Sequence, residues 1–303
     1  MTTRQLKRIA AVLGVALLLW ALAELLSSSS DELKADFSLP ALNREDVDTV
    51  AIYRTGDTIV LAKTAATEWT VNGRPAAPDA IESLFQALSR ATVAELAATN
   101  PASHSRMGID SASGKRLRFV KGDRVVAELV VGNRGPGYQG VYVRNQGANE
   151  VYLVQGDLPN VVERWVDEWR DKRIAEIEPD SVREIRVERG GRSYTLRRSD
   201  SGWEFQGGAV ADTVEVRRML DEYRNLRAGG FPSEAQEDSV NFDRPDRKVR
   251  LIGNRGPLLE LLFDSLGYNW WAKRSDREIV YRIDSWRINQ LTPADSVLRK
   301  KAS

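Results

Sequence analysis

Val47–Lys63 reads VDTVAIYRTGDTIVLAK, and 135 residues further on Val182–Arg198 reads VREIRVERGGRSYTLRR. Each is a pair of alternating apolar and polar runs around a turn, Thr55–Gly56–Asp57 in the first and Gly190–Gly191 in the second. A period of two sets one face of a strand against a core, and a glycine-bearing turn between two such runs predicts a β-hairpin. A tryptophan follows each pair, Trp69 and Trp203. Self-similarity at a near-constant interval predicts one structural unit made twice.

The correspondence extends outward. Ile81, Leu84, Phe85 and Leu88 fall at i, i+3, i+4 and i+7, as do Val216, Met219, Leu220 and Tyr223. That spacing predicts an amphipathic helix in each copy with its stripe on the core. Asp79-x-x-Glu82 and Asp212-x-x-Glu215 have the form of capping boxes, placed so that the second helix gains about two residues. Further on, Leu117–Val120 matches Val249–Ile252, Glu128 matches Glu260, Gly137–Tyr138 matches Gly267–Tyr268, and Val151–Val154 matches Val280–Ile283. Between the copies, Asp157–Ile174 predicts a helix with Val161, Val162, Trp165 and Trp169 on one side, and Asp284–Leu291 a shorter counterpart. The expected fold is therefore α+β, a tandem duplication of a mainly antiparallel β unit with one or two helices per copy. The repeats span 45–174 and 180–292, with a C-terminal tail over 293–303.

Ahead of the repeats, Arg4, Lys7 and Arg8 precede an apolar run from Ile9 to Leu26, broken only by Glu24. At about 1.5 Å per residue the run reaches roughly 27 Å, near the hydrocarbon thickness of a bilayer. It predicts an N-terminal transmembrane helix within residues 1–30, single-pass, with the basic end cytoplasmic and the body extracytoplasmic. The alternative is a signal peptide cleaved after Ala21–Leu22–Ala23, which exports the body from Glu24 onward.

Composition narrows the chemistry. Forty-four basic and forty-three acidic residues leave a net charge of +1 over 303 residues, without the basic excess that phosphate neutralisation demands, so no nucleic acid is expected as partner. With no cysteine and His104 as the single histidine, the usual zinc sites and cysteine–histidine pairs are excluded, and no cofactor is expected. Gly132–Pro136 and Gly253–Pro257 both read GNRGP, but out of register with the repeat, and glycine, asparagine and proline are what turns select. Neither has the lysine or the strand–loop–helix setting of a nucleotide loop. The reading is of a protein without enzymatic activity.

The remaining candidate is Gly267–Arg274, GYNWWAKR, the counterpart of Gly137–Arg144, GYQGVYVR. Aligned on the glycine–tyrosine pair, Trp271 takes the place of Val141 and belongs to the core, while Trp270 takes the place of Gly140 on a face the fold need not bury. Trp270, Tyr268, Lys273 and Arg274 form the candidate interaction surface. It would take a protein partner or, alternatively, stack against a cell-wall glycan.

With these pieces in order, the chain resembles the domain-of-unknown-function family numbered 4340. The resemblance rests on Trp69 and Trp203 after their hairpins, the helix starts Pro78–Asp79 and Ala211–Asp212, and the Gly–hydrophobic–Asp element Gly108–Ile109–Asp110. It also rests on Phe242–Asp243–Arg244–Pro245, the tyrosine-rich hairpin and the exit Arg170–Asp171–Lys172, and covers about residues 45 to 292. A proline after Asp110 and a glycine before Phe242 are missing. The resemblance implies an exported or membrane-anchored bacterial protein, an extracytoplasmic companion of ABC-type transporter components, some similar to gliding-motility auxiliaries. It carries over no catalytic residue.

Overall fold

The computed structural model describes residues 37–300, so the apolar run Ile9–Leu26 expected to span a membrane lies outside the described residues. Among those residues no helix is long and apolar enough to cross a membrane. The chain is α+β, mostly antiparallel sheet with several helices, and divides into two compact units between Trp169 and Arg170.

In the first unit the strands are β1 (Thr49–Arg54), β2 (Asp57–Lys63), β3 (Trp69–Val71), β4 (Arg74–Pro75), β5 (Thr92–Ala98), β6 (Lys115–Lys121), β7 (Arg124–Arg134), β8 (Val141–Asn145) and β9 (Val151–Gln155). Among the described residues they form one sheet in the order β4-β3-β2-β1-β6-β7-β8-β9-β5. In the second unit β10 (Arg173–Ala175) pairs with β14 (Leu226–Arg227). There β11 (Val182–Arg189), β12 (Arg192–Ser199), β13 (Gly202–Phe205), β15 (Arg247–Gly253), β16 (Gly256–Leu266), β17 (Asn269–Arg274) and β18 (Val280–Ile283) form a sheet in the order β13-β12-β11-β15-β16-β17-β18. Strand for strand, this is the order of the first sheet from β3 to β9. Registers agree as well. Ile52 pairs with Leu117 and Leu117 with Leu129, as Val187 pairs with Val249 and Val249 with Leu261.

The inward face of each sheet is covered by the expected amphipathic helix. Pro78–Arg90 buries Ile81, Leu84, Phe85 and Leu88 against Val50, Ile52, Leu117 and Phe119, with Trp69 in the same cluster. Thr213–Asp221, with Tyr223 just beyond it, buries Val216, Met219 and Leu220 against Ile185, Val249 and Leu251, with Trp203 among them. The helix starts differ from expectation. Asp212 does cap the second helix, accepting hydrogen bonds from Val214 N at 2.9 Å and Glu215 N at 3.3 Å. The N-cap of the first helix is Ala77, two residues before Asp79, with no side-chain cap and Pro78 in the first turn. Ala77 and Asp212 thus hold equivalent positions, and the second helix is the shorter, nine residues against thirteen.

The helix expected over Asp157–Ile174 is also corrected. It breaks into Leu158–Val162 and Val166–Trp169. Arg164 turns inward at the break, donating from Nη1 to Ala80 O (3.2 Å) and Ser83 Oγ (2.9 Å), with its guanidinium 4.6 Å from the Trp169 ring. Val161, Val162 and Trp169 stay buried while Trp165 turns out to solvent. At the far end the tail expected from residue 293 includes a helix, Asp295–Leu298, whose Leu298 is buried in the second core.

The outward faces are partly roofed by crossing segments. After β5 pairs with β9, residues 99–114 return over the first sheet to β6, burying Met107 and Ile109 on Val130 and Val151. The approach is close. A Cβ on Gly132 would lie 2.3 Å from Met107 O, so only glycine fits there. In the second unit Gly229 N donates to Arg282 O and Arg282 N to Gly230 O, both at 2.9 Å. The chain then crosses to Asn241, whose N–H donates to Asp264 Oδ2 at 2.8 Å.

Candidate functional site

Register places the residues of GYNWWAKR. Ala272 pairs with Phe263 and Tyr281, all three in the helix-covered core, so Trp270, two residues away, shares that face. Its ring is half-buried at the core edge, with the Arg247 guanidinium 4.7 Å from its centroid. Trp271 lies on the opposite face beside Asp264 and Arg282 and is 1 % exposed. The burial expected for Trp271 is present, but Trp270 is not on a free face. The physical reason is a register slip. Val143 pairs with Tyr152 as Ala272 pairs with Tyr281, so Trp270 corresponds to Val141 and Trp271 to Tyr142. The connection Gly135–Gly140 is longer than its counterpart, and matching the two turns shifts the strand by one residue, which exchanges its faces.

The other members do not converge on Trp270. Tyr268 sits at the β16–β17 turn and is 97 % exposed. Lys273 Nζ donates to Glu278 Oε2 at 2.6 Å. Arg274 donates from Nε and Nη2 to Asp276, each at 2.7 Å, and from Nη1 to Ile174 O at 2.9 Å. A second loop is tied to the Tyr268 turn. Ser285 Oγ donates to Tyr268 O at 2.8 Å, and the next residue, Trp286, is 65 % exposed. Tyr138, in the equivalent β7–β8 connection of the first unit, is also exposed.

A second feature, unmarked in the sequence reading, is a cleft of about 400 Å³ on the outward face of the first sheet. Its walls are Tyr53 on β1, Arg116 on β6, Val130 on β7, Arg144 on β8 and the loop Asp110–Gly114. Asp110 Oδ1 is held within its loop by Ser113 N (2.8 Å), Ser113 Oγ (2.6 Å) and Ala112 N (3.1 Å). The Ser113 hydroxyl and then the backbone donors keep this carboxyl below its ordinary range. Arg54, at the rim, is two-pronged on Asp57 and donates to Val162 O and Arg164 O. Arg116 lies over the Tyr53 ring at 4.3 Å and 3.4 Å from Glu128. Arg144 is 9 % exposed, and burial lowers its pKa, opposed by the nearby charge of Asp110. His104 stands away from these groups, its Nε2 2.9 Å from Asn149 O.

The family model described as Domain of unknown function (DUF4340) matches residues 69–245, more than half of the chain. The chain belongs to that family. No curated protein and no solved structure matches it. The DUF4340 span begins at Trp69 in β3 and ends in the loop before β15, so it contains Arg116, Arg144 and the loop with Gly108–Ile109–Asp110. That element has a structural part in this DUF4340 protein. Gly108 is left-handed (φ 66°), Ile109 is fully buried with its carbonyl accepting from Arg144 Nε at 2.9 Å, and Asp110 ties the following turn.

Proposed function

We propose that the protein is a membrane-anchored, extracytoplasmic binding or scaffolding protein, accessory to an ABC-type transport or envelope complex. Its two units are read as copies of one duplicated domain, a reading supported by their common strand order. The anchor is the apolar run Ile9–Leu26 behind Arg4, Lys7 and Arg8. The single observation that carries a binding role is the pair Tyr268 and Trp286, large, solvent-exposed and on loops joined by the Ser285–Tyr268 hydrogen bond. Exposed aromatics of this size suit a protein partner, because tyrosine and tryptophan are enriched among the residues that dominate interface energetics. Trp270 is a poor stacking surface by comparison, since Arg247 occupies one face of its ring.

The test is co-purification from membranes of the host with the tagged full chain, wild type against the double variant Tyr268→Ala/Trp286→Ala. Transporter subunits recovered with wild type and lost with the variant support the proposal. Equal recovery from both, or no envelope protein from either, defeats it. A reporter active only outside the cytoplasm, fused after Ser303, should work. Activity of a cytoplasm-only reporter at that position would reverse the topology.

A further inference from the structure

Arg144 is a largely buried residue whose guanidinium has an incomplete set of protein partners. Its Nε donates to Ile109 O at 2.9 Å, and its Nη1 to Asn145 O (3.2 Å) and Ala148 O (3.3 Å). These carbonyls aim the group without neutralising it. Among the described residues no ion pair forms at Arg144, Asp110 acting on it only through its nearby charge, and Nη2 makes no protein hydrogen bond and stays accessible. The side chain lines the cleft floor. Burying an unpaired charge is costly, and a guanidinium is adapted to two-pronged recognition of carboxylate and phosphate.

The second unit shows what this position looks like when the charge is compensated internally. Arg144 pairs with Val130 on β7 as Lys273 pairs with Leu262 on β16, one residue along from the matched pairs Val143–Val131 and Ala272–Phe263. Lys273 is the counterpart of Arg144, and its ammonium is held by Glu278. The β8–β9 and β17–β18 connections have equal length, so the residue in the place of Glu278 is Asn149, which is neutral. The first unit keeps the cation and has no carboxylate at this position, the nearest opposite charge being that of Asp110 in its own loop.

The other two cleft arginines are already satisfied. Arg54 is bound to Asp57 and two carbonyls, and Arg116 is stacked on Tyr53 beside Glu128. Asp110 is turned into its own loop by three donors. What remains open is Arg144, in a cavity whose size is that of a small-molecule site.

We propose that this cleft binds a small oxyanion-bearing ligand, a carboxylate or a phosphate, on the open Nη2 side of Arg144, with Tyr53, Ser111 and Gln146 walling the rest of the molecule. This goes beyond the scaffolding role and does not depend on it.

The test is isothermal titration of the full chain in detergent with sodium phosphate, sodium acetate and sodium chloride, at matched ionic strength. Saturable binding of phosphate or acetate but not chloride is expected, and the preferred anion tells a phosphate ligand from a carboxylate one. Arg144→Gln should weaken that binding at least tenfold. Asn149→Glu, at an exposed position, supplies the missing counter-charge and should weaken it comparably with the fold intact, so it decides the matter if Arg144→Gln fails to fold. Lys273→Gln should change nothing. The proposal is overturned if wild type binds neither oxyanion saturably, if chloride binds equally well, or if Asn149→Glu binds like wild type.

Discussion

Trp271 and Trp270 are adjacent on one strand, yet register gives them unequal and specific energetic consequences. Trp271 is 1 % exposed, and truncating a buried tryptophan to alanine typically costs about 3–5 kcal/mol. Its indole N–H is buried without a hydrogen-bond partner. A phenylalanine keeps most of the ring and deletes that donor, and a buried unpaired donor costs about 1–3 kcal/mol. Trp271→Phe should therefore lose only about 1 kcal/mol, its smaller volume being offset by the removal of the unsatisfied group. Trp270→Gly loses the Arg247 contact, worth about 0.5–1 kcal/mol, together with partial burial at the core edge. It also adds a strand glycine, at about 0.5–1 kcal/mol, so the total is about 2 kcal/mol. The expected order of destabilisation is Trp271→Ala, then Trp270→Gly, then Trp271→Phe. Urea unfolding of the full chain in detergent gives the magnitudes, and hydrogen exchange read by mass spectrometry should place the loss within residues 182–283. If Trp271→Phe were as costly as Trp271→Ala, the indole nitrogen would be making a bond the structure lacks. If Trp270→Gly were the costliest, the faces would be reversed.

Three further outcomes are expected. Trp69→Ala and Trp203→Ala should each cost about 3–5 kcal/mol, and hydrogen exchange should localise each loss to its own unit. Loss spread equally over both units by either variant would contradict separate cores. Asp212→Ala should cost about 1 kcal/mol by removing a helix cap, while Ala77→Asp should stabilise the first unit by up to about the same amount. No gain in the melting temperature of the first unit would contradict the equivalence of those two positions. Glu184 is held below its ordinary value of 4.5 by the hydrogen bond from Arg197, with burial opposing and Arg186 adding to it. A depressed carboxylate contributes stability above its unfolded pKa and loses it as pH falls through the folded one. Glu184→Gln should therefore flatten the fall in second-unit stability below pH 4.5, and an unchanged slope would refute that assignment.

The inward faces are legible because both units use the same residue types at the same periods. Ile81, Leu84, Phe85 and Leu88 answer Val216, Met219, Leu220 and Tyr223, and the hairpins set the strand order around them. Sequence and structure part where a single residue shifts a start or a face. Asp79 looked like a cap because its spacing to Glu82 is right, yet Pro78, with its fixed φ and missing N–H, suits the first turn and moves the start to Ala77. Aligning the glycine–tyrosine turns was natural in one dimension, but a longer connection in the first unit slid the strand by one and exchanged Trp270 with Trp271. Trp165 fits a continuous helical stripe only if Arg164 stays outside, and Arg164 finds better partners at Ala80 and Ser83.

The outward faces carried no comparable signal, and the reason bears on function. In VYVRN the alternation assigns Arg144 to the non-core side, where an arginine is ordinarily solvated. Its burial comes from residues 99–114, a segment without a period, which announces neither which strand it will cover nor how closely. The one local clue is the density of glycine around the contact, since Gly132 is needed for Met107 to approach. In the second unit the corresponding space holds Trp271 in place of Tyr142, and the cation there is neutralised by Glu278. Over the strands they share in order, the outward faces of the two sheets therefore differ in what they bury, an indole in one and a guanidinium beside a cleft in the other. A frame kept for stability would tolerate either filling. A buried arginine whose nearest carboxylate, Asp110, is held in its own loop is the costlier of the two, and an anion bound at Arg144 would reduce that cost.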